Sequence, residues 1–115
     1  MTKSAIATAF SKGEFDQIYD HLTDNARWEV LGENSFENKQ AIIKQCNEVA
    51  AYFKTVTTHF ELLQVIEEKN KVAITGTAEF IRNGERISFV HGCDIYQFTE
   101  QGQLQSITSY CIQIK

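Results

Sequence analysis

The hydrophobic period changes for good near residue 54 of this chain, and that change decides what it can fold into. Residues 38–53, "NKQAIIKQCNEVAAYF", set Ile42, Cys46, Val49 and Phe53 three and four positions apart. That is one stripe of a helix of about four turns, with Asn38 placed to cap its N-terminus. From residue 54 the period is two. Residues 54–67 put Val56, Thr58, Phe60, Leu62 and Ile66 on one face and His59, Glu61, Leu63 and Val65 on the other, and residues 71–82 alternate in the same way through Val72, Ile74, Ala78 and Phe80. Strands over 85–98 and 104–114 follow, after turns at "RNGE" and "TEQGQ", where Asn83-Gly84 tolerates positive φ. Helices followed by a meander of long antiparallel strands define an α+β domain.

Upstream, Ile6, Ala9 and Phe10, and after Gly13 Phe15, Ile18, Tyr19 and Leu22, recur at helical spacing. Two short helices separated by "SKGE" are expected there, which makes three N-terminal helices in all. "ARWEVLG", residues 26–32, alternates as a short strand. With no proline, repeat or low-complexity segment, and a length of 115 residues, the expectation is a single domain over 1–115.

A net charge of -4 without a Lys/Arg cluster repels a phosphate backbone, so nucleic acid is not an expected partner. No apolar run approaches the roughly 18 residues that span a bilayer, and the opening lacks the layout of a signal peptide. A cytoplasmic protein with no membrane partner is expected. The three cysteines, Cys46, Cys93 and Cys111, form no C-x-x-C pair and read as free thiols; no histidine has a second at ligand spacing. No metal and no cofactor are expected, since phosphate loops and nucleophile elbows are also missing. Long strands apolar on both faces need cover on both. Helices cover one, and Phe89, Ile95 and Ile107 are expected to leave an apolar patch on the other that favours a homodimer through the sheet.

The run "AFSKGEFDQIYDHLTDNARWEVLGENSFENKQAIIKQC" resembles the opening of SnoaL-like domains in the nuclear-transport-factor-2-like superfamily, which also holds ketosteroid isomerases and limonene epoxide hydrolases. The shared elements are Gly13-Glu14-Phe15-Asp16, the stretch from Asp24 to Trp28, and Asn38-Lys39-Gln40-Ala41-Ile42. "DIYQFTEQGQLQSITSY" is similar to the family's last hairpin. The resemblance implies a cystatin-like α+β roll, a cone of strongly curved, mainly antiparallel sheet against three helices, open onto an apolar pocket. Such a fold does not by itself settle function.

Asp94 shares strand parity with Val90, Tyr96 and Phe98, and is expected to face the pocket if they do. The resemblance to ketosteroid isomerases puts a carboxylic acid at this position. An acid desolvated there gains a raised pKa and can act as hydrogen-bond donor or general acid; the alternative is an ionised Asp paired with a neighbour. The rest of that isomerase's machinery does not carry over, because its tyrosine and general base align onto Ile6 and Val30. Steroid isomerisation is therefore rejected, and the Arg-and-paired-Asp arrangement of the epoxide hydrolases is not evident. Tyr19, Trp28, Val30, Phe53, Tyr96, Phe98 and Tyr110 are the candidate pocket walls, with plain core packing as the competing reading for several of them. His91 is a second catalytic candidate only if a bulge at Gly92 turns it inward; otherwise it lies on the opposite face with Phe89, Cys93 and Ile95. Two functions follow. One is a domain that binds a small apolar or aromatic molecule, with or without acid-base isomerase, cyclase or dehydratase activity. The other is a noncatalytic dimeric protein-interaction domain.

Overall fold

The computed structural model describes residues 1–114. Helix α1 (Lys3–Ser11) begins at Thr2, whose hydroxyl accepts the Ala5 amide at 3.1 Å. It buries Ile6, Ala7, Ala9 and Phe10 against the sheet. The second expected helix is not formed: residues 15–17 and 19–21 make two single 3-10 turns, closed by Ile18 N to Phe15 O and His21 N to Ile18 O. The stretch between Gly13 and the strand starting at Leu22 is too short to offset the cost of nucleating an α-helix, so i→i+3 bonds win. The described residues thus hold two α-helices and not three.

Strand β1 (Leu22–Val30) starts earlier than its alternation suggested and turns into β2 (Asn34–Glu37), an edge strand with one apolar residue that periodicity could not reveal. Helix α2 (Lys39–Phe53) is capped as expected: Asn38, at φ 86°, accepts the Ala41 amide at 3.0 Å. Strands β3 (Thr57–Glu68), β4 (Lys71–Arg82), β5 (Glu85–Phe98) and β6 (Leu104–Gln113) follow. The six strands form one mixed sheet in the order β2-β1-β6-β5-β4-β3, antiparallel except where β1 lies parallel to β6. No helix among the described residues is long and apolar enough to cross a membrane.

Three bulges re-aim side chains that strict alternation misplaces. In β3, Leu62 pairs with Gly76 and Gln64 with Thr75, so Leu63 is the extra residue and Val65, not Ile66, returns to the helix side. In β5, Ile87 is extra. In β6, Ser106 pairs with Gln97 but Leu104 with Phe98, which leaves Gln105 unpaired and reverses the parity beyond it. Ile107 and Ser109 therefore point inward and are buried, whereas Tyr110 and Ile112 point out and are exposed. Ile107 thus belongs to the core and not to the expected outer patch. That core also holds Phe10, Phe15, Ile18, Trp28, Ile42, Cys46, Tyr96 and Phe98, between the inner sheet face and the helices.

Candidate functional site

Asp94 lies on the inner face of β5, under the last residue of α1. That placement brings the Ser11 hydroxyl to 2.8 Å from Asp94 Oδ2. The Tyr96 hydroxyl, on a ring that is fully buried, sits 2.5 Å from Ser11 Oγ and 3.5 Å from the same carboxylate oxygen. Ser11 has one proton and gives it to Asp94, so Tyr96 donates to Ser11 and the three groups form a relay that ends on Oδ2. Ser109 is the cross-strand partner of Asp94, and its buried hydroxyl accepts the Trp28 indole N–H at 3.0 Å. Burial pushes the Asp94 carboxyl above the ordinary carboxylate range, while the hydroxyls of Ser109, Ser11 and Tyr96 pull it partway back. Tyr96 is pushed well above the ordinary phenol value, first by burial and then by the Asp94 charge, and stays a neutral hydroxyl.

The carboxylate stands where two chambers meet. One, of about 260 Å3, is lined by Phe60, Ile74, Phe80 and Val90 together with the backbone of Gly76 and Gly92. The other, of about 300 Å3, is lined by Phe10, Phe15, Trp28, Val30 and Phe53, with Glu33, Asn34 and Gln45 adding polar groups. Ser11, Asp94 and Cys111 belong to both walls. Gly76 and Gly92 face each other across β4 and β5. A Cβ on Gly92 would meet nothing nearer than the Tyr110 carbonyl at 3.8 Å, so part of the first chamber is space that a side chain at Gly92 would occupy. The Phe53 and Phe80 rings, stacked at 5.9 Å between centroids, link the two walls. Such largely apolar hollows with a few convergent polar groups are the usual form of a small-molecule site.

The fold and the full-length pattern agree with one sequence match: the family model of the SnoaL-like domain covers residues 4–107. The chain belongs to the SnoaL-like domain family. An NTF2-like protein of unknown function from Cytophaga hutchinsonii is 32% identical, with 94% of each chain covered and a TM-score of 0.84. SalBIII, an epoxide hydrolase/cyclase-like enzyme with a role in pyran ring formation in the polyether salinomycin, is 19% identical over 96% of this chain and 90% of its own, at a TM-score of 0.69. An LEH-like epoxide hydrolase from M. tuberculosis is 15% identical over 96% of this chain and 84% of its own, at 0.68. The last two likenesses show the fold alone. No curated protein matches the sequence.

Within this SnoaL-like domain the residues singled out from sequence separate into groups. Asp94, Trp28, Val30 and Phe53 line the chambers, and Tyr96 touches Asp94 from the core side. Phe98 is core, and its edge borders a groove of about 720 Å3 among Glu68, Lys69 and Glu100, larger than either chamber and away from Asp94. Tyr19 lies outside the chambers and donates to Asn47 Oδ1 at 3.2 Å. Tyr110 is on the outer face because of the Gln105 bulge. His91 is exposed there too, edge-on to Phe89: Gly92 pairs in regular register with Gly76 and Cys111, so no bulge turns His91 inward. Sequence reasoning missed Ser11, Ser109 and Cys111. The Cys111 thiol is pushed up by burial and by the charges of Asp94 and Glu33, and Cys46, sealed beneath α2, is pushed up to about 12 by burial. Among the described residues no group of three or more His, Cys, Asp or Glu side chains is placed to hold a metal ion.

Proposed function

We propose that this domain binds a small apolar or aromatic molecule across the two chambers, with Asp94 as its polar anchor. The observation that carries this is the position of one carboxylate, tethered by Ser11 and Tyr96, at the junction of two apolar hollows. A buried carboxylate with a perturbed pKa in a concave site is the kind of group that binding and acid-base chemistry use. Acid-base turnover, such as isomerisation, cyclisation or dehydration, would use Asp94 as the proton donor, with the Ser11 and Tyr96 hydroxyls holding its Oδ2 in place; exposed His91 has no part. Native mass spectrometry of the freshly purified protein, followed by denaturing analysis of anything released, identifies a co-purifying ligand. Affinity for that ligand is expected to fall at least about tenfold in both Asp94→Asn and Asp94→Leu. Unchanged affinity in both variants refutes the anchor.

The outer sheet face supports a homodimer. Phe89 and Ile95 are partly buried there, and Tyr110 and Ile112 are exposed at 44% and 64%. Apolar groups adjoining on one sheet face are the material of a self-complementary interface. Light scattering is expected to give twice the chain mass for the wild type and the single mass for Ile112→Glu. A monomeric wild type removes this assembly.

A further inference from the structure

The chambers are built for one sign of charge. Among the described residues no Lys or Arg lines either chamber, and the two ionisable acids that do, Asp94 and Glu33, are both negative when charged. The one Lys or Arg on β5, Arg86, points to the outer face, where it is paired with Glu79 and stacked 4.6 Å over Phe89, and Lys12, next to Ser11, is turned toward Glu14. The deep hydroxyl protons are already committed: Ser11 gives its own to Asp94, Tyr96 gives its own to Ser11, and Ser109, which receives the Trp28 N–H, turns its own toward Asp94. Several donors aimed at one carboxylate shape it as an acceptor, and a ligand oxyanion would meet repulsion with little to bind it. What the buried carboxylate lacks is a counter-charge. A ligand cation would supply it, and the aromatic side chains of Trp28, Phe53, Phe60 and Phe80 in the walls offer apolar surface to a flat ring.

We infer that the cavity selects an arylalkylammonium, a flat apolar body carrying a protonated amine that pairs with Asp94. This rests on the small-molecule reading above and names the chemistry of its ligand.

Three nearly isosteric probes test it on the full-length protein by titration calorimetry at about pH 8: 2-naphthylmethylamine, 2-naphthylmethanol and 2-naphthoate. The amine is expected to bind at least about tenfold more tightly than the alcohol, and the carboxylate most weakly. Asp94→Asn should bring the amine to the level of the alcohol while leaving the alcohol within about twofold. Should that variant fail to fold, the wild type alone still decides. As pH rises through the ionisation of Asp94, in the range where an alkylammonium stays charged, amine affinity should rise while alcohol affinity stays flat. The titratable groups around Asp94 are Tyr96 and Cys93 on its own strand, Cys111 on β6, Glu33 in the β1–β2 turn and Cys46 on α2. Helix α1 and strand β4 present Ser11 and Ile74, which do not titrate. Naphthoate binding as tightly as the amine overturns the inference, as does an amine preference that survives Asp94→Asn. Saturable binding in the wrong order leaves the small-molecule site standing and removes only the charge selection; failure of all three probes to bind the wild type overturns both.

Discussion

Gly76 and Gly92 are partners on one rung of the sheet, yet adding the same methyl group to each should have opposite effects. At Gly76 an added Cβ would lie 2.8 Å from the Glu61 carbonyl oxygen and 2.9 Å from Phe60 Cζ. The first of these is backbone, held in the β3–β4 ladder, and cannot swing aside. Overpacking of this kind costs about 1–3 kcal/mol. At Gly92 the nearest atom is 3.8 Å away, and the backbone is ordinary strand, so the substitution only removes the entropy penalty of a strand glycine. Gly92→Ala should therefore gain about 0.5–1 kcal/mol, which for a domain of this size raises Tm by roughly 3 °C. Urea denaturation of the two variants should separate them by at least about 1.5 kcal/mol with the m-value unchanged. Gly92→Val carries the test to function, because its branched side chain suits a strand and projects into the smaller chamber, narrowing it beside Asp94. It should fold as well as the wild type and lose the ligand. If Gly92→Ala is as damaging as Gly76→Ala, the space beside Gly92 is not open and the account of the chamber fails.

Asp94 should make stability fall with rising pH. Its proton is held more tightly in the folded than in the unfolded chain, so its contribution is complete below the unfolded pKa and is lost as pH rises through the folded one. Every tenfold difference in that proton affinity amounts to about 1.4 kcal/mol, and Asp94→Asn should flatten the slope in urea titrations run across pH; an equal slope in the variant excludes Asp94 as its source. Ser11→Ala strips Tyr96 of its short partner and Asp94 of a donor, and should cost about 1–3 kcal/mol in the same assay, whereas Ser11→Thr should retain most of it. At Asn38, with its positive φ, Ala should lose both the cap and the backbone fit, about 1–2 kcal/mol, and Gly distinctly less. A thiol reagent should modify Cys111 in the native protein but reach Cys46 only on unfolding, since the latter is fully buried with a pKa of about 12; equal rates would contradict its burial.

Features governed by neighbouring residues were legible in the sequence. Helix α2 was readable from one stripe and its Asn38 cap, and strands β4 and β5 from the turn between them, where Asn83 and Gly84 both take positive φ. The side on which Asp94 falls was readable because the bulge in β5 lies at Ile87, before the stretch that carries it. What failed depended on pairing between distant segments. Nothing in "GQLQSITSY" marks Gln105 as the residue β5 leaves unpaired, and so Tyr110 was placed inside while Ser109 and Ile107 were not. Ser11 acquires its role only when the end of α1 lands on a strand 83 positions later. Strand β2 has one apolar residue, Phe36, and exists because Trp28 across the ladder gives that ring a partner at 5.3 Å.

The parallel seam between β1 and β6 has a consequence for how the molecule assembles. The Trp28 indole meets its hydrogen-bond partner 81 positions further along the chain, whereas β3, β4, β5 and β6 are joined by short turns. The meander can zip locally, one hairpin at a time. The β1–β2 ribbon has no sheet to join until β6 is in place, and then it must close the longest loop in the sheet. From loop length the expected order is strands β3 to β6 early and the β1 seam last. Trp28, on that seam, is the sole tryptophan, so its fluorescence reports the final step of folding rather than an average over the whole chain.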